Sequence, residues 1–239
     1  MKLNNGASAL LEPIKKTTIW LLLAILTISA CQSDVQQKIM DQQNSETMSI
    51  VHSTHKQNVI TTQERDYAIQ FLKATELEVF KVVKDLNKAQ LAFKPAADKW
   101  SVEDCIKHIA AAEQNLWLIV EASLKQPANP EQRAGIKFAD KELINAVEDR
   151  SHKSKTFEAL EPANSPYKTL AQALTSFKEN REKLIAFVRS TQADLRNHVS
   201  VLPIGTYDAY QFILLISAHS NRHKQQIEEV KANVDFPKS

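Results

Sequence analysis

His219 and His223 stand four residues apart in the run Ala218-His219-Ser220-Asn221-Arg222-His223. Residues at i and i+4 share one face of a helix, one turn apart. Two imidazoles placed that way can both reach one ion, at roughly 2.0–2.1 Å if it is zinc. His108 lies far upstream in another segment of helical pattern and can supply a third nitrogen from a facing helix. Three nitrogens with one position open is the donor set of a catalytic metal, because structural metals usually have every position filled by protein. Nitrogen-only sites accept zinc, nickel, copper or iron according to geometry and availability. A divalent ion is therefore the expected cofactor, with zinc and nickel the first candidates. The competing reading is three core histidines with no metal, but two buried imidazoles on one apolar face without partners would be costly.

The elements that must position these residues read as helices. Ala68, Leu72, Thr75, Val79, Val83 and Leu86 recur at spacings of three and four, so a first long helix is expected over residues 62–87. A second is expected from Ser101 to Lys125, through Ile106, Ile109, Ala112, Leu116 and Val120. Ser101 with Asp104 three residues on resembles a capping box, and Pro127 and Pro130 stop the helix. A third spans 168–190, with Leu170, Leu174, Phe177, Leu184 and Val188 facing inward. A fourth, over 207–232, carries the stripe Phe212, Ile216, His219, His223, Gln226 and Val230. Both histidines thus occupy core-facing positions. Residues 126–166 form a long connection with a short helix around 139–149, and connections of this length are often functional. No alternating strand pattern stands out, and Gly135 and Gly205 are the only glycines of this region. The chain reads as all-α, a four-helix bundle with one long crossover between the second and third helices. Metal sites in such bundles are built from facing helices.

Several neighbouring residues have more than one reading. Cys105, three residues before His108, reads as a small buried hydrophobe, with approach to the metal site as the alternative. Glu113 either orients a ligand histidine or is solvated. Trp117 reads as core packing or as the wall of a pocket. Arg181 falls on the buried stripe of the third helix and reads as a side chain snorkelling at the helix edge, with a substrate anion as the alternative partner.

The N-terminus carries a different kind of signal. Lys15 and Lys16 precede an uncharged apolar stretch over 17–30. It falls short of the roughly 20 residues of a membrane span. A positive flank, a short apolar core and small residues at its end mark a signal peptide over 1–30. The end, Ile28-Ser29-Ala30-Cys31, resembles a bacterial lipoprotein box, which makes Cys31 the expected lipidation site. An ordinary secretory signal with a chance cysteine is the alternative. The expected location is extracytoplasmic, membrane-anchored through the N-terminal lipid, on the periplasmic or outer-membrane side. Gln32, rather than Asp, follows the cysteine, which by resemblance to other lipoproteins favours onward transport to an outer membrane where there is one. Residues 31–60 are polar and read as a flexible tether, on which His52 and His55 read as a solvated pair. The domain proper is expected over 61–236.

Charge excludes one class of partner. The chain has 30 basic and 28 acidic residues. Removing the signal takes away Lys2, Lys15, Lys16 and Glu12 and leaves 27 of each. No basic excess remains to suggest nucleic acid. With Cys31 lipidated, Cys105 has no intramolecular disulfide partner.

Two stretches resemble a known family. They are Phe93-Lys94-Pro95-Ala96-Ala97-Asp98-Lys99-Trp100-Ser101-Val102-Glu103-Asp104-Cys105-Ile106-Lys107-His108-Ile109 and the late segment Asp208-Ala209-Tyr210-Gln211-Phe212 running on through His219-Ser220-Asn221-Arg222-His223-Lys224-Gln225-Gln226-Ile227. Both look like signatures of the DinB-like superfamily, in the expected order, and the resemblance covers residues 62–233. It implies a four-helix bundle with a divalent metal held by three histidines, positions that fall on His108, His219 and His223. Cys105 departs from the aliphatic residue usual there. The family includes thiol transferases, a related isomerase and many proteins without an assigned activity. Two classes of function follow. One is an enzyme, a metal-dependent hydrolase or thiol transferase acting on an unidentified small-molecule substrate. The other is a non-catalytic tethered binding or stress protein with a structural or vestigial metal. A homodimer is compatible with either.

Overall fold

Capping chemistry sets the helix boundaries. In the computed structural model, which describes residues 37, 38, 40–45, 59–152 and 155–238, α1 spans Thr62–Val83. Thr61 Oγ1 accepts from the Glu64 amide at 3.1 Å, and the Thr61 amide donates to the Glu64 carboxylate at 2.7 Å. The helix stops four residues before the expected end. Asp85 takes a left-handed φ of 62°, and Asn87 caps a separate short helix, α2 (Lys88–Ala92), by accepting from the Gln90 amide. Asn competes with the backbone for hydrogen bonds and so favours a cap over a helix interior. α3 spans Val102–Leu124 and opens with the expected box, in which Asp104 performs the role usual for Glu.

The crossover after α3 holds a 3₁₀ turn at Pro130–Gly135, the helix α4 (Asp140–Glu148), and further 3₁₀ turns at Glu158–Leu160 and Pro162–Asn164. α5 (Leu170–Ser190) is capped by Thr169. An antiparallel hairpin follows, where the sequence pattern indicated no strand: β1 (Val199–Leu202) and β2 (Gly205–Asp208), with Leu202 opposite Gly205. Four-residue strands are too short for alternation to register. Gly205 has φ +134° and lies so close to Tyr207 that a Cβ would sit 2.6 Å from its hydroxyl, so the turn requires glycine. Asp208 ends β2 and caps α6 (Ala209–Lys231).

α1, α3, α5 and α6 form the bundle. α1 and α3 each pack against both α5 and α6 and so occupy diagonal corners. α4 lies on α6. α6 is the most enclosed helix, with every residue from Ala209 to Ala218 buried. Two apolar clusters fill the interior. One is centred on Leu72, Leu184, Phe212 and Ile216, the other on Val79, Ile106, Phe177 and Ile227. Between them runs one polar layer that touches all four helices. Arg181 of α5 donates to Glu113 of α3 at 2.9 and 2.7 Å and to Leu72 O and Thr75 Oγ1 of α1 at 2.7 and 2.8 Å. It also donates to Ser220 Oγ of α6 at 2.9 Å.

The chain divides after residue 56, and in the N-terminal unit the described residues 37, 38 and 40–45 are helical and exposed. A Gln37 to Asp41 hydrogen bond at 3.3 Å joins successive turns there, where the composition had suggested only a flexible tether. Ile60, placed by the sequence at the end of that tether, is buried in the first apolar cluster. The signal segment 1–30, Cys31, Gln32, His52 and His55 lie outside the described residues. Among the described residues no helix is long and apolar enough to cross a membrane.

Candidate metal centre

α3 and α6 pack side by side and bring the three predicted histidines together. The nearest ring nitrogens of His108, His219 and His223 all lie within 4.8 Å of one another. His219 Nε2 sits 3.2 Å from His108 Nε2 and 3.1 Å from His223 Nε2. Nitrogens bound at roughly 2.0–2.1 Å around a tetrahedral ion stand about 3.3–3.4 Å apart, so the spacing is close to that of a bound triad.

The hydrogen-bond roles decide whether these residues fit a cation. His108 Nδ1 lies 2.8 Å from Leu160 O, a group that can only accept. His223 Nδ1 lies 2.9 Å from Gln226 Oε1, also an acceptor. Both Nδ1 atoms therefore carry the proton, and both Nε2 atoms present a lone pair toward His219. His219 Nε2 has at most one hydrogen to offer. At least one of the two close contacts is a pair of facing lone pairs, which a divalent cation at the centre would satisfy. Partners on the far nitrogen are the usual means of orienting a ligand histidine.

Burial keeps the ligands in the form that binds. It holds the pKa values of all three rings below the ordinary histidine value. His219 is pushed down to about 3, with the neighbouring His108 and Arg222 charges adding to the effect of burial. The rings are neutral at neutral pH, as metal ligation requires. His108 and His223 are buried, and His219 is the one member of the cluster that keeps some residue exposure. Trp100 forms the wall. Its ring lies 4.8 Å from that of His108 and is stacked 5.8 Å from that of His223.

The residues whose readings were open now have places. Cys105 is fully buried and burial raises its thiol pKa, so it is an inert part of the core. Trp117 packs edge-on against Phe187, 4.9 Å between centroids. Glu113 and Arg181 correct the sequence reading. Glu113 neither orients a ligand histidine nor lies in solvent, and Arg181 neither snorkels nor faces a substrate. They form the buried pair of the polar layer, only 2% and 0% exposed. Burial pushes the Glu113 carboxyl upward, and the guanidinium opposes it. Their link to the site is indirect. Ser220, which receives one Arg181 bond, lies between the two histidines of α6 and helps set that helix's rotation.

Three participants were not singled out in the sequence: Trp100, the Leu160 carbonyl and the acceptor role of Gln226. Trp100 sits one residue before the cap of α3, and Gln226 lies on the histidine stripe, one turn beyond His223. A backbone carbonyl delivered by a distant turn leaves no side-chain signal.

The pattern of the DinB superfamily matches residues 72–227, well over half the chain. The chain belongs to the DinB superfamily. It is 25% identical over 162 residues to the uncharacterized protein YuaE of Bacillus subtilis (strain 168), covering 66% of this chain and 94% of that one. A solved structure, that of YfiT from Bacillus subtilis, matches with a TM-score of 0.51 at 16% identity, over 74% of this chain and 91% of the other. YfiT is described as a probable metal-dependent hydrolase with an unusual four-helix bundle topology. At that identity the likeness establishes the shared all-α bundle fold and nothing finer.

Proposed function

We propose that this member of the DinB superfamily is a metal-dependent hydrolase of a small-molecule substrate, with one divalent ion, zinc or nickel, held by His108, His219 and His223. The observation that carries the reading is the convergence of three Nε2 atoms, with those of His108 and His223 presenting lone pairs toward His219. When bound, such an ion supplies Lewis acidity toward a carbonyl or a water. The protein's part is to fix the donors and shape the approach. Leu160 O and Gln226 Oε1 hold two rings in the binding tautomer. Trp100 covers one flank of the cluster, against His108 and His223. The description of YfiT as a probable metal-dependent hydrolase supports the same chemistry.

The test is a panel of small esters and amides, run beside an electrophile with a low-molecular-weight thiol. The metal-loaded full chain should hydrolyse at least one ester or amide, and His219→Ala should abolish that turnover. Thiol adduct formation without hydrolysis would replace this reading with a transferase. Silence in both arms for metal-loaded protein would favour a non-catalytic role. We further place the domain outside the cytoplasm, anchored by lipid on Cys31, on the strength of the Ile28-Ser29-Ala30-Cys31 box.

A further inference from the structure

His108 and His223 are oriented by different kinds of acceptor. The Leu160 carbonyl offers only oxygen, so the His108 tautomer has no alternative. A glutamine amide can present either end. With Oε1 toward His223, Nδ1 keeps its proton and Nε2 has the lone pair. With the amide turned over, its NH₂ group would donate to Nδ1, the proton would move to Nε2, and that nitrogen could not bind a metal. Something must select the first orientation.

Arg150, on the crossover just past α4, is placed to do so. Its Nε and Nη2 donate to the two Glu229 oxygens at 2.6 and 2.7 Å, a bidentate clamp on α6. That clamp directs Nη1 to 3.5 Å from the Gln226 oxygen that faces His223. The bond is long, so its action is chiefly electrostatic. A guanidinium has no acceptor, and a turned amide would oppose NH₂ to it. The crossover is stitched to the same face of α6 by Arg222, which donates to Val147 O at 3.1 Å, to His152 O at 2.6 Å and to Asp149 O.

We propose that Arg150 is a positioning residue for the metal centre: through Gln226 it holds His223 in the tautomer whose Nε2 lone pair faces His108 and His219. The inference rests on the reading that these three nitrogens bind an ion. It gives the long crossover a task, because the segment supplies both orienting influences, Leu160 O directly and Arg150 by way of Gln226.

The experiment compares full-length wild type, Arg150→Met, Arg150→Lys and the double variant Arg150→Met/Gln226→Glu. Long-range proton–nitrogen NMR on metal-free protein with labelled histidine reads the His223 tautomer, and titration with cobalt(II) reads affinity. Wild type shows the Nδ1–H form alone. Arg150→Met shows a mixture and binds cobalt about 10-fold or more weakly, the usual effect of losing a partner behind a ligand histidine. Arg150→Lys, which keeps an ion pair to Glu229 without the planar fork, falls between and serves as the folded comparator. The double variant restores the Nδ1–H form and the affinity, because both oxygens of a carboxylate accept. A purely structural Arg150 would not be rescued by a change at Gln226. An unmoved tautomer with unchanged affinity in Arg150→Met, or failure of rescue, overturns the proposal while the metal reading stands. A tautomer that responds as stated in a protein that binds no divalent ion overturns the metal reading and leaves the Arg150 relay intact.

Discussion

Glu113→Ala should rank with the truncation of a fully buried aromatic among the most damaging substitutions away from the histidines. It deletes both carboxylate partners of Arg181, at 2.9 and 2.7 Å, and leaves a guanidinium that is 0% exposed with three neutral acceptors. Stripping one member from a buried ion pair costs about 3–5 kcal/mol, because the remaining charge is uncompensated. Against a domain stability of about 5–15 kcal/mol, that is a large share. For a chain of this size it corresponds to a melting midpoint lower by roughly 6–20 °C. Glu113→Leu with Arg181→Met removes both charges and should recover most of the loss, since well-packed apolar replacements of buried pairs are often neutral or stabilising. Thr75 and Ser220 tolerate the change, because their hydroxyls also donate to backbone carbonyls of their own helices at 2.9 and 3.0 Å. Urea unfolding followed by circular dichroism, with chelator present to exclude metal linkage, measures all three proteins. A loss under about 1 kcal/mol for Glu113→Ala would show that the Arg181 charge does not depend on this partner. So would a double variant as unstable as the single.

Ser101→Ala removes the cap of α3 and should cost about 0.5–2 kcal/mol in the same assay. Acid stability provides a second check. Burial raises the Glu64 and Asp104 carboxyls, but hydrogen bonds from Arg196 and Thr61, and from Lys94 and Ser101, outweigh it and leave both below their ordinary values of 4.5 and 3.8. Groups depressed on folding stabilise the fold above their unfolded pKa, and that contribution is lost as pH falls through the folded value. Stability should therefore decline below about pH 4.5, and Glu64→Gln with Asp104→Asn should flatten the decline in acid unfolding curves. Cys31→Ser should release the chain from membranes or leave it unprocessed, read by fractionation and mass spectrometry. Retention of a normally processed mutant would contradict the anchor.

The clustering of the three histidines was legible because its logic is local on one side: His219 and His223 fall on one helical face, and His108 sits on a second apolar helix. The bundle was legible for the same reason, since stripes such as Ala68-Leu72-Thr75-Val79 repeat over many turns. Part of what escaped depends on contacts distant in sequence. Arg181 on a buried stripe looks like an edge residue until Glu113, 68 positions away, is seen facing it. Leu160 acts through a carbonyl, so its residue type carries no information. The hairpin is only four residues a side, and its glycine turn resembled an ordinary helix entry. The end of α1 was misplaced because Val83 and Leu86 continue the apolar pattern through a turn that Asp85 and Asn87 impose.

Three convergent Nε2 atoms should hold one ion. Metal content by mass spectrometry, with cobalt(II) titration of the stripped full chain, reads that occupancy. Wild type should bind one equivalent, and His108→Ala, His219→Ala and His223→Ala should each lose stoichiometric binding while keeping their helical content. A His108→Ala protein that still holds a full equivalent with unchanged affinity would contradict the assignment.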